Sequence, residues 1–178
     1  MGEELTNYLT QALQHGQASG ATILWDGRLN EFPYHQGSGV FQAWVPLQQA
    51  VFQFDPAWRP LTDLSLDLLF ANDTLEMKSQ SAALGAARSD YIHAWFPSLA
   101  EDSVLYINAD VAGEAQAVSD YLIHSGVRSS VGSALEALPL TKPLRGDLQL
   151  AIPIDGEPVK VLGHVQFADN GLRVKQLD

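Results

Sequence analysis

Leu64-Ser65-Leu66-Asp67-Leu68-Leu69-Phe70-Ala71-Asn72-Asp73-Thr74-Leu75-Glu76-Met77 decides the fold class. Leu64, Leu66, Leu68 and Phe70 alternate with Ser65 and Asp67, the period-two pattern of a strand with one apolar and one wet face. Asn72-Asp73-Thr74 then supplies residues that tolerate the positive φ angles of a tight turn, so the stretch reads as a β-hairpin. The same design recurs 97 positions on: Leu64, Leu68, Phe70, Ala71, Leu75 and Met77 align with Val161, Val165, Phe167, Ala168, Leu172 and Val174. Asp169-Asn170-Gly171 is the turn of that second copy. A repeated hairpin extends a sheet, which points to a modular β architecture.

Working outward, period-two segments bounded by Gly, Pro, Asn and Asp predict strands over 20–29, 40–46, 49–54, 64–70 and 74–79. Others follow over 103–111, 145–154, 159–168 and 172–177. The alternation is as clean in Leu148, Leu150, Ile152 and Ile154, set against Asp147, Gln149 and Asp155. One helical piece precedes the sheet and two interrupt it. Residues 4–14 put Leu5, Tyr8, Leu9 and Leu13 on one face, and 113–125 do the same with Ala117, Val118, Tyr121 and Leu122. Ser133 to Glu136 has the spacing of a capping box for a short helix to Leu138. The stretch 79–103 shows no period. The expected class is mainly β (β-rich α+β): a curved antiparallel sheet of repeated hairpins forming an open apolar groove, with a few short helices. The 178 residues read as one segment with repeat units within 20–100 and 101–178.

Composition narrows the functions. Hydrophobic residues make up 46% and charged residues 17%, a globular balance. The absence of Cys excludes disulfides and thiolate zinc sites. A net charge of −11, with the 10 Lys and Arg scattered, argues against a nucleic-acid partner. No run approaches the ~20 apolar residues of a membrane span. Met1-Gly2 shows no signal-peptide pattern and reads as a cloning start on an excised segment.

Catalytic patterns are not found. His15, His35, His93, His124 and His164 are widely spaced, and none forms a metal-binding pair at helical or strand spacing. Ser19 sits between glycines at the wrong spacing for a nucleophile elbow, and no glycine-rich phosphate loop occurs. A catalytic reading would require His35, His93 or His164 to meet carboxylates in a cleft. The expectation is no enzyme, no metal and no cofactor.

What remains is an apolar sheet face that must be covered by helices, by a second sheet, or by something that is not protein. Leu64, Leu66, Leu68, Phe70, Leu148, Leu150, Ile152 and Ile154 are the first candidates for a lipid-binding lining, with Val161, Val165 and Phe167 next.

Several strings resemble the YhdP proteins of Gram-negative bacteria. They are Trp25 to Tyr34 (WDGRLNEFPY), Gly39 to Ala43 (GVFQA), Phe52 to Trp58 (FQFDPAW), Asn72 to Met77 (NDTLEM), Leu144 to Pro153 (LRGDLQLAIP) and Val165 to Leu172 (VQFADNGL). That family is AsmA-like and similar to bridge-like lipid transfer proteins. The resemblance implies a periplasmic body, anchored in the inner membrane by a helix elsewhere in the protein. It implies a β-groove that shelters phospholipid acyl chains on their way between inner and outer membranes. This chain would be an internal segment, flanked by neighbouring segments of its parent. Raw sheet edges also make a homodimer possible. The competing expectation is a closed structural or interaction β domain of the envelope, with the same aliphatic residues buried by protein.

Overall fold

The computed structural model describes residues 3–99, 103–126, 142–155 and 157–167. Helix α1 (Glu3–Ala12) opens the chain. Strands β1 (Leu13–Ala18), β2 (Thr22–Asp26), β3 (Val40–Phe52), β4 (Leu61–Ala71), β5 (Thr74–Ser79) and β6 (Ala82–Leu84) follow. Then come β7 (Ala87–Ser89), β8 (Ile92–Phe96), β9 (Val104–Gly113), helix α2 (Ala115–Ile123), β10 (Leu144–Pro153) and β11 (Lys160–Phe167). The strands form one 11-stranded antiparallel sheet.

Its order is simpler than the strand count suggests. β1 and β2 lie end to end along one edge of β3. β5 and β6 share the lane beside β4, and β7 and β8 share the next, beside β9. Every lane therefore neighbours the one before it in sequence, a meander interrupted by α2 between β9 and β10. The β4–β5 hairpin is the predicted one: Asn72 takes φ 53°, and its Oδ1 accepts from the Phe41 N–H at 2.8 Å. The turn and return strand of the second copy, 168–177, lie outside the described residues, as does the predicted helix 133–138.

Several predicted boundaries move. The helix expected over 4–14 stops at Ala12, and Leu13–Ala18 pairs with β3 instead. The two strands expected at 40–46 and 49–54 are one strand with a bulge. Apolar phase slips there from Ala43, Val45, Leu47 to Ala50, Phe52, and Gln49 takes φ 51° to absorb the extra residue. The unreadable stretch 79–103 holds β6, β7 and β8, whose lanes break at 80–81 and 90–91.

Residues paired across antiparallel strands point to the same side, so register defines two faces. One carries the core. The row Val45–Leu68–Met77–Ala94–Ile107–Leu150–Val161 crosses seven lanes without a polar residue. Seven lanes span about 29 Å at ~4.8 Å per lane. Leu47–Leu66–Ser79–Ile92–Ala109–Leu148–Gly163 runs beside it. Ile23–Ala43–Phe70–Leu75–Phe96 flanks it on the other side.

Both helices lie on this core face. α1 buries Leu5 and Ala12 and sets the Tyr8 ring edge-on to Phe96, 6.0 Å between centroids. α2 buries Ala115, Val118, Tyr121 and Leu122. Helices of 10 and 9 residues are marginal alone, so burial of these faces is what holds them. Among the described residues no helix is long and apolar enough to cross a membrane.

Candidate functional site

All the candidate lining residues but Ile154, which lies in the turn just past β10, come from strands whose register places them on the core face. Leu64, Leu66, Leu68, Leu148, Leu150 and Ile152 are buried, none more than 9% exposed. Phe70, Ile154, Val161 and Val165 are partly buried and pack against the same cluster. Phe167 pairs with Leu144, but its side chain lies outside the described residues.

The cover over the middle of this face is built mainly of aromatic side chains. Residues 53–60, between β3 and β4, fold into a compact turn: Asp55 Oδ1 accepts from the Ala57 N–H, and the Asp55 carbonyl accepts from the Trp58 N–H. Gln53 Nε2 donates to the Trp58 carbonyl at 2.8 Å and closes the loop. This turn presents Phe54 and Trp58 inward, their centroids 5.0 Å apart. Tyr121 of α2 meets Trp58 at 6.0 Å, and its hydroxyl donates to the Arg59 carbonyl at 3.2 Å. Tyr8 of α1 donates to the Phe54 carbonyl at 2.8 Å.

Beneath lies an apolar cavity of about 50 Å³, floored by Leu64, Leu66, Met77, Ile107, Leu148 and Leu150 among others. Sequence alternation marked four of these six. Met77 was legible as the hairpin's return strand, and Ile107 as part of the strand over 103–111. Trp58 carries no periodic signal, because a turn aims it, while Phe54 closes the strand expected over 49–54 but lies in that turn. Burial raises the Tyr8 phenol well above its usual range, helped by the nearby Asp55 charge. It raises the Tyr121 phenol likewise, with the Arg59 charge opposing.

Toward β2 the cover stops. Ile23 is 64% and Trp25 48% exposed, although both project from the core side of the sheet. The segment 27–39 folds back here: Trp25 Nε1 donates to the Tyr34 hydroxyl at 2.7 Å, and Phe32 and Phe41 complete an aromatic cluster. Gly27 and Gly39 allow the buried Tyr34 ring to lie against the backbone, since a Cβ on either would fall within 2.9 Å of it.

The outer face is different. Its central row carries stacked rings, His93 on Trp95 at 4.8 Å and Trp95 on Tyr106 at 5.5 Å. Three histidines do meet carboxylates: His93 with Glu76 at 2.8 Å, His164 with Asp147 at 3.1 Å and His35 with Asp73 at 3.7 Å. Lys78 also reaches Glu76 at 2.8 Å, and its hydrogen bond chiefly, with that of His93, holds the Glu76 carboxyl below its usual range. His93–Glu76 joins neighbouring strands β5 and β8, and His164–Asp147 is a cross-strand pair of β10 and β11. Among the described residues no three potential metal ligands gather.

Comparison with known proteins gives a consistent picture. The sequence model of a family described as YhdP protein matches residues 1–178. An intermembrane phospholipid transporter, YhdP of Escherichia coli (strain K12), is 38% identical over all of this chain. The chain spans 14% of that relative's length. No solved structure matches it.

Proposed function

This chain belongs to the YhdP family, and from that premise we propose that its apolar sheet face forms one length of a periplasmic path for phospholipid between inner and outer membranes. The observation that carries the reading is the register row from Val45 to Val161, apolar across seven lanes. A face of this kind shelters acyl chains at ~0.8 kcal/mol per methylene while the head group stays in water. Sliding along it needs no nucleophile, metal or cofactor. Strands of neighbouring segments pair with the outer edges of the sheet, and a homodimer of the isolated chain would use those same edges.

The burial of Leu64, Leu66, Leu148 and Ile152 favours a second reading, a closed structural module of the envelope. Aspartate at Leu66 or Ile152 would not separate the two, because an unpaired carboxylate in those buried positions costs several kcal/mol and unfolds the chain under either. Ile23→Asp and Val161→Asp lie where the cover is absent or partial. The test incubates the chain with vesicles of phosphatidylethanolamine and phosphatidylglycerol and weighs it by native mass spectrometry. We expect phospholipid on the parent and its loss in both variants, with unchanged circular dichroism. A lipid-free parent would establish the closed module instead.

A further inference from the structure

A cavity of about 50 Å³ cannot hold an acyl chain, since ligand pockets run ~300–1,000 Å³. Lipid on this part of the face must take the place of protein. The protein it would displace is assembled from two flanks of the sheet. Phe54 and Trp58 arrive on the turn between β3 and β4, while Tyr121 arrives on α2 from β9. Among the described residues, ring contacts and the bond from the Tyr121 hydroxyl to the Arg59 carbonyl join the two halves, with no backbone ladder between them. The join also carries a defect. Among the described residues, Trp58 Nε1 is buried without a hydrogen-bond partner, beside Gly126 just past the end of α2. A buried unmade hydrogen bond disfavours the closed arrangement, and parting the halves would let water or a lipid oxygen meet that N–H.

We propose that the 53–60 turn and α2 are the two leaves of a gate over the lipid path, which part so that acyl chains replace Phe54, Trp58 and Tyr121 on the sheet. The proposal rests on the lipid reading above. Closed and open forms are then two populated states, and lipid draws the protein toward the open one by binding it alone.

The chain has no cysteine, and a Cβ on Gly126 would lie 3.8 Å from the Ala57 Cβ. That is the mean spacing of a disulfide, ~3.8 Å. Ala57→Cys/Gly126→Cys therefore stitches the leaves when oxidised and frees them when reduced. Uptake is read by native mass spectrometry after incubation with vesicles of phosphatidylethanolamine and phosphatidylglycerol, some of the former acyl-labelled. The reduced double variant should take up labelled lipid as the parent does. Oxidation should lower uptake at least about tenfold, in proportion to the lost open fraction, and reductant should restore it. Undiminished uptake by the oxidised protein, while Ile23→Asp still abolishes uptake, would overturn the gate and leave the lipid path standing. Failure of the bond to form in lipid-free protein would overturn it too, by showing the leaves are not apposed. A parent that takes up no lipid would overturn both readings.

Discussion

Gly146 and Gly163 sit two pairs apart on the β10–β11 ladder, yet substitution should treat them differently. A Cβ on Gly146 would fall 2.5 Å from the His164 carbonyl oxygen, so backbone would have to move. A Cβ on Gly163 meets the Leu148 Cδ2 atom, the far end of a side chain, at 2.9 Å, and the Asp147 carbonyl oxygen only at 3.2 Å. Gly146→Ala should therefore cost roughly 1–3 kcal/mol, the usual range for overpacking, and Gly163→Ala less than about 1 kcal/mol. Urea unfolding of the two variants checks the order. Leu148, beside Gly163, belongs to the core-face row whose alternation was legible in the sequence. The glycines that let the strands close beside it were not, because a close approach leaves no periodic mark.

Among the elements, the lane shared by β7 and β8 shows why 79–103 resisted reading. The lane breaks at Asp90–Tyr91, and the Asp110 carboxylate of β9 fills the break. Its Oδ1 accepts from the Ser89 hydroxyl at 2.8 Å and from the Asp90 and Tyr91 N–H groups at 3.0 and 2.7 Å. A side chain thus substitutes for the missing ladder partner, and the short strands on either side never establish a period. Asp110→Ala should cost about 1.5–3 kcal/mol, the value of hydrogen bonds to a charged group. It should also speed amide exchange at Asp90 and Tyr91, whereas Asp110→Asn, which keeps an acceptor, should retain part of the protection. β1 escaped notice for a related reason: Leu13-Gln-His-Gly-Gln-Ala has little strand character, and the free edge of β3 recruits it.

For the whole molecule, both helices report their docking through one hydrogen-bonded phenol each. The Tyr8 and Tyr121 pKa values are raised in the folded state, so the stability they lend is complete below the unfolded value, ~10, and is lost as pH rises toward the folded values. Alkaline titration should therefore show Tyr8 and Tyr121 ionising only as the fold opens, in step with loss of circular dichroism. Tyr8→Phe/Tyr121→Phe should flatten that alkaline limb, at a cost of about 1 kcal/mol per lost hydrogen bond near neutrality. The sheet, its apolar side and the family were decided by the sequence alone, because alternation of period two is a local property that any neighbouring strand can read. The cover over that side was decided only in three dimensions. Arg59 and Tyr121 stand 62 positions apart and meet because the meander folds the lanes between β4 and β9 beneath them. No local pattern encodes that meeting, and with it came the burial of residues that alternation alone would have left open to lipid.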